Sequence, residues 1–134
     1  MTLNLLLIDD DAMVIFIHQS ILESVQLTKK PLVFRHGKEA LDFLIENNVA
    51  DTHHLLMLDI NMPVMDGWEL LDAIQVLDKK ANISVIMVTS SIDQSDRLKA
   101  FTYPQVIDYL IKPLDFESVQ KLKEIPHFSG FFIQ

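Results

Sequence analysis

An α/β fold, a parallel sheet with helices on both faces, is predicted by two features of this 134-residue chain. Five short apolar runs recur along it, and the segments between them carry helical spacing. Most of the runs do not alternate apolar with polar residues, which is the pattern of strands buried on both faces. Parallel neighbours need long crossovers, and the intervening helices are long enough to supply them, giving a doubly wound sheet. Strand order does not follow from periodicity. Ligands of open parallel sheets, however, sit outside the carboxyl ends of the strands, so the residues that end each run carry the functional information.

The first run, Leu3 to Ile8, ends in Asp9, Asp10 and Asp11, and a helix carrying His18 follows. The second, Leu32 to Phe34, is the weakest; after it Ala40, Leu41, Leu44 and Ile45 mark one apolar helix face. The third, His54 to Leu58, ends at Asp59, followed by Ile60, Asn61, Met62 and Pro63. Leu70, Leu71, Ile74 and Leu77 then lie at helical spacing, with Asp66 and Glu69 placed as an N-cap and its reciprocal partner. The fourth run, Ile83 to Val88, ends in Thr89 and Ser90. Ser91 and Gln94 form a similar start signal for a helix from about Ile92 to Phe101. The fifth, Val106 to Ile111, ends in Lys112 and Pro113. A last helix capped by Asp115 is expected to stop near Glu124 because Pro126 follows.

Composition removes several function classes. Apolar residues are 49% and charged ones 22%, enough for a buried core in one domain. Nineteen acids against eleven bases give a net charge of −8, a sign that repels phosphate backbones and anionic lipid. No nucleic-acid or membrane partner is therefore expected. The chain has no cysteine, which excludes a disulfide scaffold, a thiol nucleophile and a thiolate zinc site. Its first eleven residues lack the basic start of a signal peptide, and no apolar run approaches the roughly 18 residues of a membrane span. A cytoplasmic protein is expected.

In a parallel sheet the residues that end the runs converge on one rim. Several carboxylates held together repel one another, and each is harder to ionise unless a cation sits among them. An all-oxygen site suits a hard divalent ion such as Mg2+. A carboxylate can also attack phosphorus to form an aspartyl phosphate, whose oxygens need a metal, an ammonium and a hydroxyl donor around them. Lys112 and Thr89 can fill the last two roles. Each residue also has a plainer reading. Asp9 to Asp11 can cap a helix, Asp66 fits a cap better than a ligand, and Thr89 and Lys112 taken singly are ordinary strand-end residues. Their joint occurrence at four strand ends favours chemistry.

Four motifs now stand together: Leu6-Leu7-Ile8-Asp9-Asp10-Asp11, Leu58-Asp59-Ile60-Asn61-Met62-Pro63-Val64-Met65-Asp66-Gly67, Val88-Thr89-Ser90 and Tyr109-Leu110-Ile111-Lys112-Pro113. In this order and spacing the sequence resembles a receiver domain of two-component response regulators, of the single-domain, chemotaxis-regulator-like type, over roughly Leu3 to Lys123. The resemblance implies a flavodoxin-like (βα)5 three-layer sandwich with a five-stranded parallel sheet of order 2-1-3-4-5. It implies phosphorylation of Asp59 by a histidine kinase or phosphotransfer protein, with Mg2+ held by Asp10, Asp59 and the backbone carbonyl of Asn61, and with Asp9 holding a coordinating water. Thr89 is the matching hydroxyl, Lys112 the matching lysine, and Pro113 is expected to follow a cis bond. Thr89 and Tyr109 form the implied switch, which alters the face of the fourth helix, fifth strand and fifth helix where a downstream protein binds. A phosphate adds about −1.5 to −2 charges at one point, enough to draw a hydroxyl and let a packed ring change rotamer. Tyr109 can also be a half-buried strand aromatic without a switching role.

The chain departs from that family before the fifth strand, where small residues are usual and Phe101-Thr102-Tyr103-Pro104-Gln105 stands instead. Pro104 stiffens this loop and disfavours helix at Tyr103, which puts transfer of the standard switch in question. Asn61 and Ser91 occupy positions that tune hydrolysis of the acyl phosphate, and Ser90 is small enough to leave the site open. Residues 1–125 are expected to form the receiver. Residues 126–134, rich in aromatics, are expected to form a tail that folds back on the chain's own surface or serves a partner, with no room for an output domain.

Adjacent His53 and His54 point apart in an extended chain and are assigned to a loop end rather than to a metal. His18 suggests a phosphohistidine, but the strand-rich pattern does not fit a helical phosphotransfer bundle. Lys29-Lys30 and Lys79-Lys80 look like solvated turns, and Trp68 lies near the rim without assigned chemistry. The expected function is phosphorylation-dependent protein binding or phosphorelay by a monomer or weak dimer. It is not an enzyme beyond its own phosphorylation and dephosphorylation. Two alternatives are a degenerate receiver used as a scaffold and a phosphatase of the haloacid dehalogenase type. The phosphatase needs a second acid two residues after the nucleophile, where Asn61 stands.

Overall fold

The computed structural model describes residues 2–25, 30–78 and 80–125. Five strands and five helices alternate: β1 (Thr2–Ile8), α1 (Ala12–Ser24), β2 (Leu32–Phe34), α2 (Gly37–Asn47), β3 (Thr52–Leu58), α3 (Gly67–Ile74), β4 (Ile83–Thr89), α4 (Gln94–Ala100), β5 (Val106–Ile111) and α5 (Phe116–Leu122). A 3-10 turn over Lys80–Asn82 precedes β4. The sheet is wholly parallel with order β2-β1-β3-β4-β5, the flavodoxin-like order that the family resemblance implies. Among the described residues no helix is long and apolar enough to cross a membrane.

Alternation along the strands divides the core into two layers. Leu6, Ile8, Leu56, Leu58, Val85 and Met87 face α2, α3 and α4, meeting Ala40, Leu44, Leu70, Leu71, Ile74 and Ala100. Leu5, Leu7, Leu55, Met57, Ile86 and Val88 face α1 and α5, meeting Leu22, Val119 and Leu122. Both faces of the central strands are thus covered, which is why their sequences run apolar without alternation.

Several local expectations change. The fourth helix starts at Gln94 and is capped by Asp93, whose carboxylate accepts from Ser95 N, whereas Ser91 Oγ donates to Asp96. The third helix stops at Ile74, and Leu77 lies in the following turn while still packing on the core. The fifth ends at Leu122, two residues short of Glu124, and Asp115 does cap it. His53 and His54 lie inside β3 rather than at a loop end. His54 is fully buried beside Phe43, and His53 meets Ser84 Oγ at 3.1 Å. The aromatic tail at 126–134, Lys29 and Lys79 fall outside the described residues.

Candidate functional site

Register places the site. Ile8 pairs with Leu58 across β1 and β3, so Asp9 and Asp59 leave neighbouring strand ends together. Asp59 N donates to Ile8 O at 3.0 Å and Asp9 N to Phe34 O at 3.1 Å, which carries the hydrogen-bond ladder one residue beyond each strand. Thr89 pairs with Ile111 across β4 and β5, and Lys112 N donates to Thr89 O at 2.9 Å. Four strand ends therefore deliver their polar residues to one rim, as the open parallel sheet requires.

Within that rim Asp9, Asp10 and Asp59 each present a carboxylate oxygen within 4.8 Å of the others. Asp9 and Asp59 are buried and Asp10 is exposed. The Lys112 ammonium enters from β5 and meets Asp9 Oδ2 at 2.9 Å and Asp59 Oδ2 at 3.0 Å. The other Asp59 oxygen, Oδ1, accepts from Ile60 N at 2.8 Å, and Asp9 Oδ1 accepts from Asp11 N at 2.9 Å. Asp11 caps α1 by accepting from Met13 N and Val14 N, so the three consecutive acids separate into two site residues and one cap.

Among the described residues, Lys112 is the cation that ion-pairs within this group of three acids, which leaves negative charge in excess. Burial raises the Asp59 carboxyl above its ordinary value, the Lys112 ammonium opposes the rise, and the Asp9 charge adds to it. Burial alone pushes the Lys112 ammonium down, but its hydrogen bonds to Asp9 and Asp59 outweigh this and hold it above an ordinary lysine. The donor set is all oxygen, anionic and undercompensated, with one acid open to solvent. That fits a hard divalent cation such as Mg2+. Asn61, two residues beyond Asp59 on the same loop, is exposed.

Thr89 is fully buried at the end of β4, and its Oγ1 accepts from Ser91 N at 3.3 Å. Tyr109 lies buried on β5, and its hydroxyl donates to Ser91 O at 3.1 Å. The Arg97 guanidinium stands 5.6 Å from the Tyr109 ring centroid and 5.4 Å from that of Phe101. Ser91 therefore links the Thr89 hydroxyl to the Tyr109 ring through its own backbone. The bond preceding Pro113 is cis. The loop after α4 packs against α3, with Tyr103 stacked on Trp68 (centroids 6.2 Å apart) and donating to Asp72 Oδ1 at 2.7 Å. The Lys99 ammonium lies 4.4 Å from the Trp68 ring centroid.

Three supporting contacts escaped the sequence reading. Gly67 N donates to Ile60 O at 2.8 Å, and a Cβ at Gly67 would collide with the Asp59 carbonyl oxygen and lie 2.9 Å from Ile60 Cα. Arg35 Nη2 donates to Asp10 O at 2.7 Å. His18 Nε2, on α1, accepts from Leu114 N at 3.2 Å across 96 residues. The glycine after Asp66 was readable as part of its motif; the other two join elements far apart in sequence, and no local spacing announces them.

A family model described as the response regulator receiver domain matches residues 5–124. The chain is 30% identical over 122 residues to a probable methanogenesis regulatory protein, FilR2, of Methanothrix harundinacea, covering 90% of this chain and 78% of that protein. It is 29% identical over 118 residues to the transcriptional regulatory protein MalR of Bacillus subtilis, covering 88% of this chain and 47% of MalR. The chain thus spans about half the length of that second relative. Among solved structures, a two component response regulator from Cytophaga hutchinsonii superposes with TM-score 0.82 at 29% identity, covering 92% of this chain and 95% of the other. One from Legionella pneumophila gives TM-score 0.78 at 30% identity, covering 92% and 97%.

Proposed function

Because the chain belongs to the response regulator receiver family, whose members accept a phosphoryl group on an aspartate, we propose that Asp59 is the acceptor and that this chain signals through its phosphorylation. The single observation that carries this reading is the Lys112 ammonium shared between Asp9 and Asp59, with Asp10 beside them at the same rim. The donor is a histidine kinase or a phosphotransfer protein. An Asp59 carboxylate oxygen attacks phosphorus and forms the P–O bond as the P–N bond breaks, its electron pair staying on the donor imidazole, which is the leaving group.

Asp9, Asp10, Asp59 and the Asn61 carbonyl are the groups to hold Mg2+, which when bound supplies charge neutralisation for the carboxylates and the incoming phosphoryl oxygens. The other roles belong to the chain's own side chains. Ile60 N fixes Asp59 Oδ1, so the carboxylate is oriented before a donor arrives. Lys112 stands beside Asp59 Oδ2, where charge develops on the transferred group. Thr89 supplies a hydroxyl at the neighbouring strand end. As that hydroxyl turns toward the phosphate, the Ser91 backbone that accepts from Tyr109 is the element that feels the change. The output is binding of a downstream protein at the face of α4, β5 and α5, or onward transfer of the phosphoryl group. Residues 1–125 make up this cytoplasmic receiver unit, acting as a monomer or weak dimer.

Incubation with Mg2+ and a small acyl phosphate tests the assignment. Intact-mass measurement is expected to show one labile phosphoryl group on the wild type and none on Asp59→Asn. Equal labelling of the two proteins rejects Asp59 as the acceptor, and no labelling of either favours a scaffold that binds without phosphorylation.

A further inference from the structure

His18 is a polar side chain buried on α1, 4% exposed, where the other buried residues of α1 and α5 are isoleucine, leucine and valine. A leucine would fill such a place without the desolvation penalty of an imidazole. What the imidazole provides is an acceptor. Its Nε2 takes the N–H of Leu114 at 3.2 Å, a backbone donor at the point where β5 hands over to α5. Leu114 is itself 3% exposed, and the next residue, Asp115, caps α5.

This contact bears on the site because of where Leu114 sits. Two residues upstream is Lys112, whose backbone N donates to Thr89 O at 2.9 Å. The short segment Lys112-Pro113-Leu114 is thus tied to β4 at one end and to α1 at the other. Its ammonium reaches two carboxylates at 2.9 and 3.0 Å, so a shift of the segment changes how it divides between Asp9 and Asp59. Burial holds the His18 ring below its ordinary protonation range, and the Lys112 charge acts in the same direction against an opposing Asp9. A neutral ring with Nε2 accepting carries its proton on Nδ1.

Resting on the phosphoryl-acceptor reading above, we propose that His18 is a positioning residue for phosphoryl transfer: its Nε2 holds the Leu114 amide and thereby fixes where the Lys112 ammonium stands beside Asp59. His18 touches neither Asp59 nor the phosphoryl group; it acts through the backbone. Misplacing a catalytic group by about 1 Å can lower a rate by up to two orders of magnitude, so a loop held on one side only is expected to show in the rate of uptake.

The full chain is compared as wild type, Asp59→Asn, His18→Leu and His18→Gln. Initial rates of phosphoryl uptake are measured at saturating Mg2+ over a range of acyl phosphate concentrations. Leucine keeps the volume and removes the acceptor; glutamine restores an acceptor oxygen. The expected result is a maximal rate lowered on the order of tenfold in His18→Leu with the half-saturating donor concentration unchanged, and recovery to within about threefold in His18→Gln. A folded His18→Leu as fast as wild type overturns the role, as does an equal loss in both variants. Should His18→Leu not fold, ring 15N shifts of the wild type decide. Protonated Nδ1 with bare Nε2 at neutral pH supports the role, and a protonated Nε2 overturns it. Absence of uptake by the wild type overturns the acceptor reading, whereas normal wild-type uptake with an unaffected His18→Leu removes only this role.

Discussion

Lys112 meets Asp9 and Asp59 at 2.9 and 3.0 Å while burial works against its charge. Removing it leaves two buried carboxylates facing each other without a cation. Lys112→Met is therefore expected to slow phosphoryl uptake by about 10²- to 10³-fold, the usual effect of losing one preorganised charge donor. The same variant is expected to lose about 1–3 kcal/mol of stability, read by urea unfolding. Its raised folded value means that the lysine stabilises below 10.5 and ceases to do so as pH climbs through that folded value. The difference between wild-type and variant stability should thus shrink at high pH; a constant difference would reject the pairing. His18 has the opposite sign. Its lowered folded value means that the unfolded chain binds the proton first, so wild-type stability falls as pH drops below 6.5. His18→Gln is expected to lack this component in a pH series of urea midpoints.

At the scale of elements, α3 is positioned from both sides of its first turn. Asp66 accepts from Glu69 N at 2.8 Å, and Glu69 Oε1 accepts from Asp66 N at 3.2 Å, a reciprocal cap that fixes where the helix begins. Asp66→Ala is expected to cost about 1 kcal/mol. The neighbouring Gly67 lies under the Asp59 loop, and since a Cβ there meets backbone rather than a flexible side chain, the loop must move. Gly67→Ala is expected to destabilise by about 1–3 kcal/mol and to slow uptake, whereas Asp66→Ala lowers stability with little change in rate. Comparable slowing by both would show that α3 as a whole, not the close approach, sets the Asp59 geometry. The caps of α4 and α5 titrate. Backbone and hydroxyl hydrogen bonds from Ser95 hold Asp93 below 3.8, and those from Ser118 do the same for Asp115. Both caps stabilise above 3.8 and let go as pH falls through their lower folded values. First-turn amides of these two helices are expected to lose hydrogen-exchange protection in acid before β3 does.

For the whole molecule, an excess of acid at one rim means that a divalent cation binding there favours the folded chain. A Mg2+ concentration about 100 times the dissociation constant is expected to add about 2.7 kcal/mol, seen as a rise in Tm, with a clearly smaller rise in Asp10→Asn. Equal rises in both proteins would place the ion elsewhere. Much of this architecture was legible in the chain alone. Apolar runs without regular alternation, such as Ile83 to Val88, reported strands covered on both faces, and the acids, Thr89 and Lys112 ending those runs marked the rim, because burial and strand ends leave local signatures. Helix limits were less legible: Asp93 rather than Ser91 caps α4, since two cap formers two residues apart compete and only the path of the loop selects between them. The histidines of β3 were misassigned because polar residues in an apolar strand are tolerated when tertiary partners such as Ser84 and Phe43 receive them. The sequence by itself determined the α/β class, the polar residues at the strand ends and the motifs that carry the resemblance. Tertiary structure alone decided that Lys112 spans two acids, that Gly67 lies against Asp59 and that His18 holds Leu114, because each joins groups set by the register and packing of distant elements.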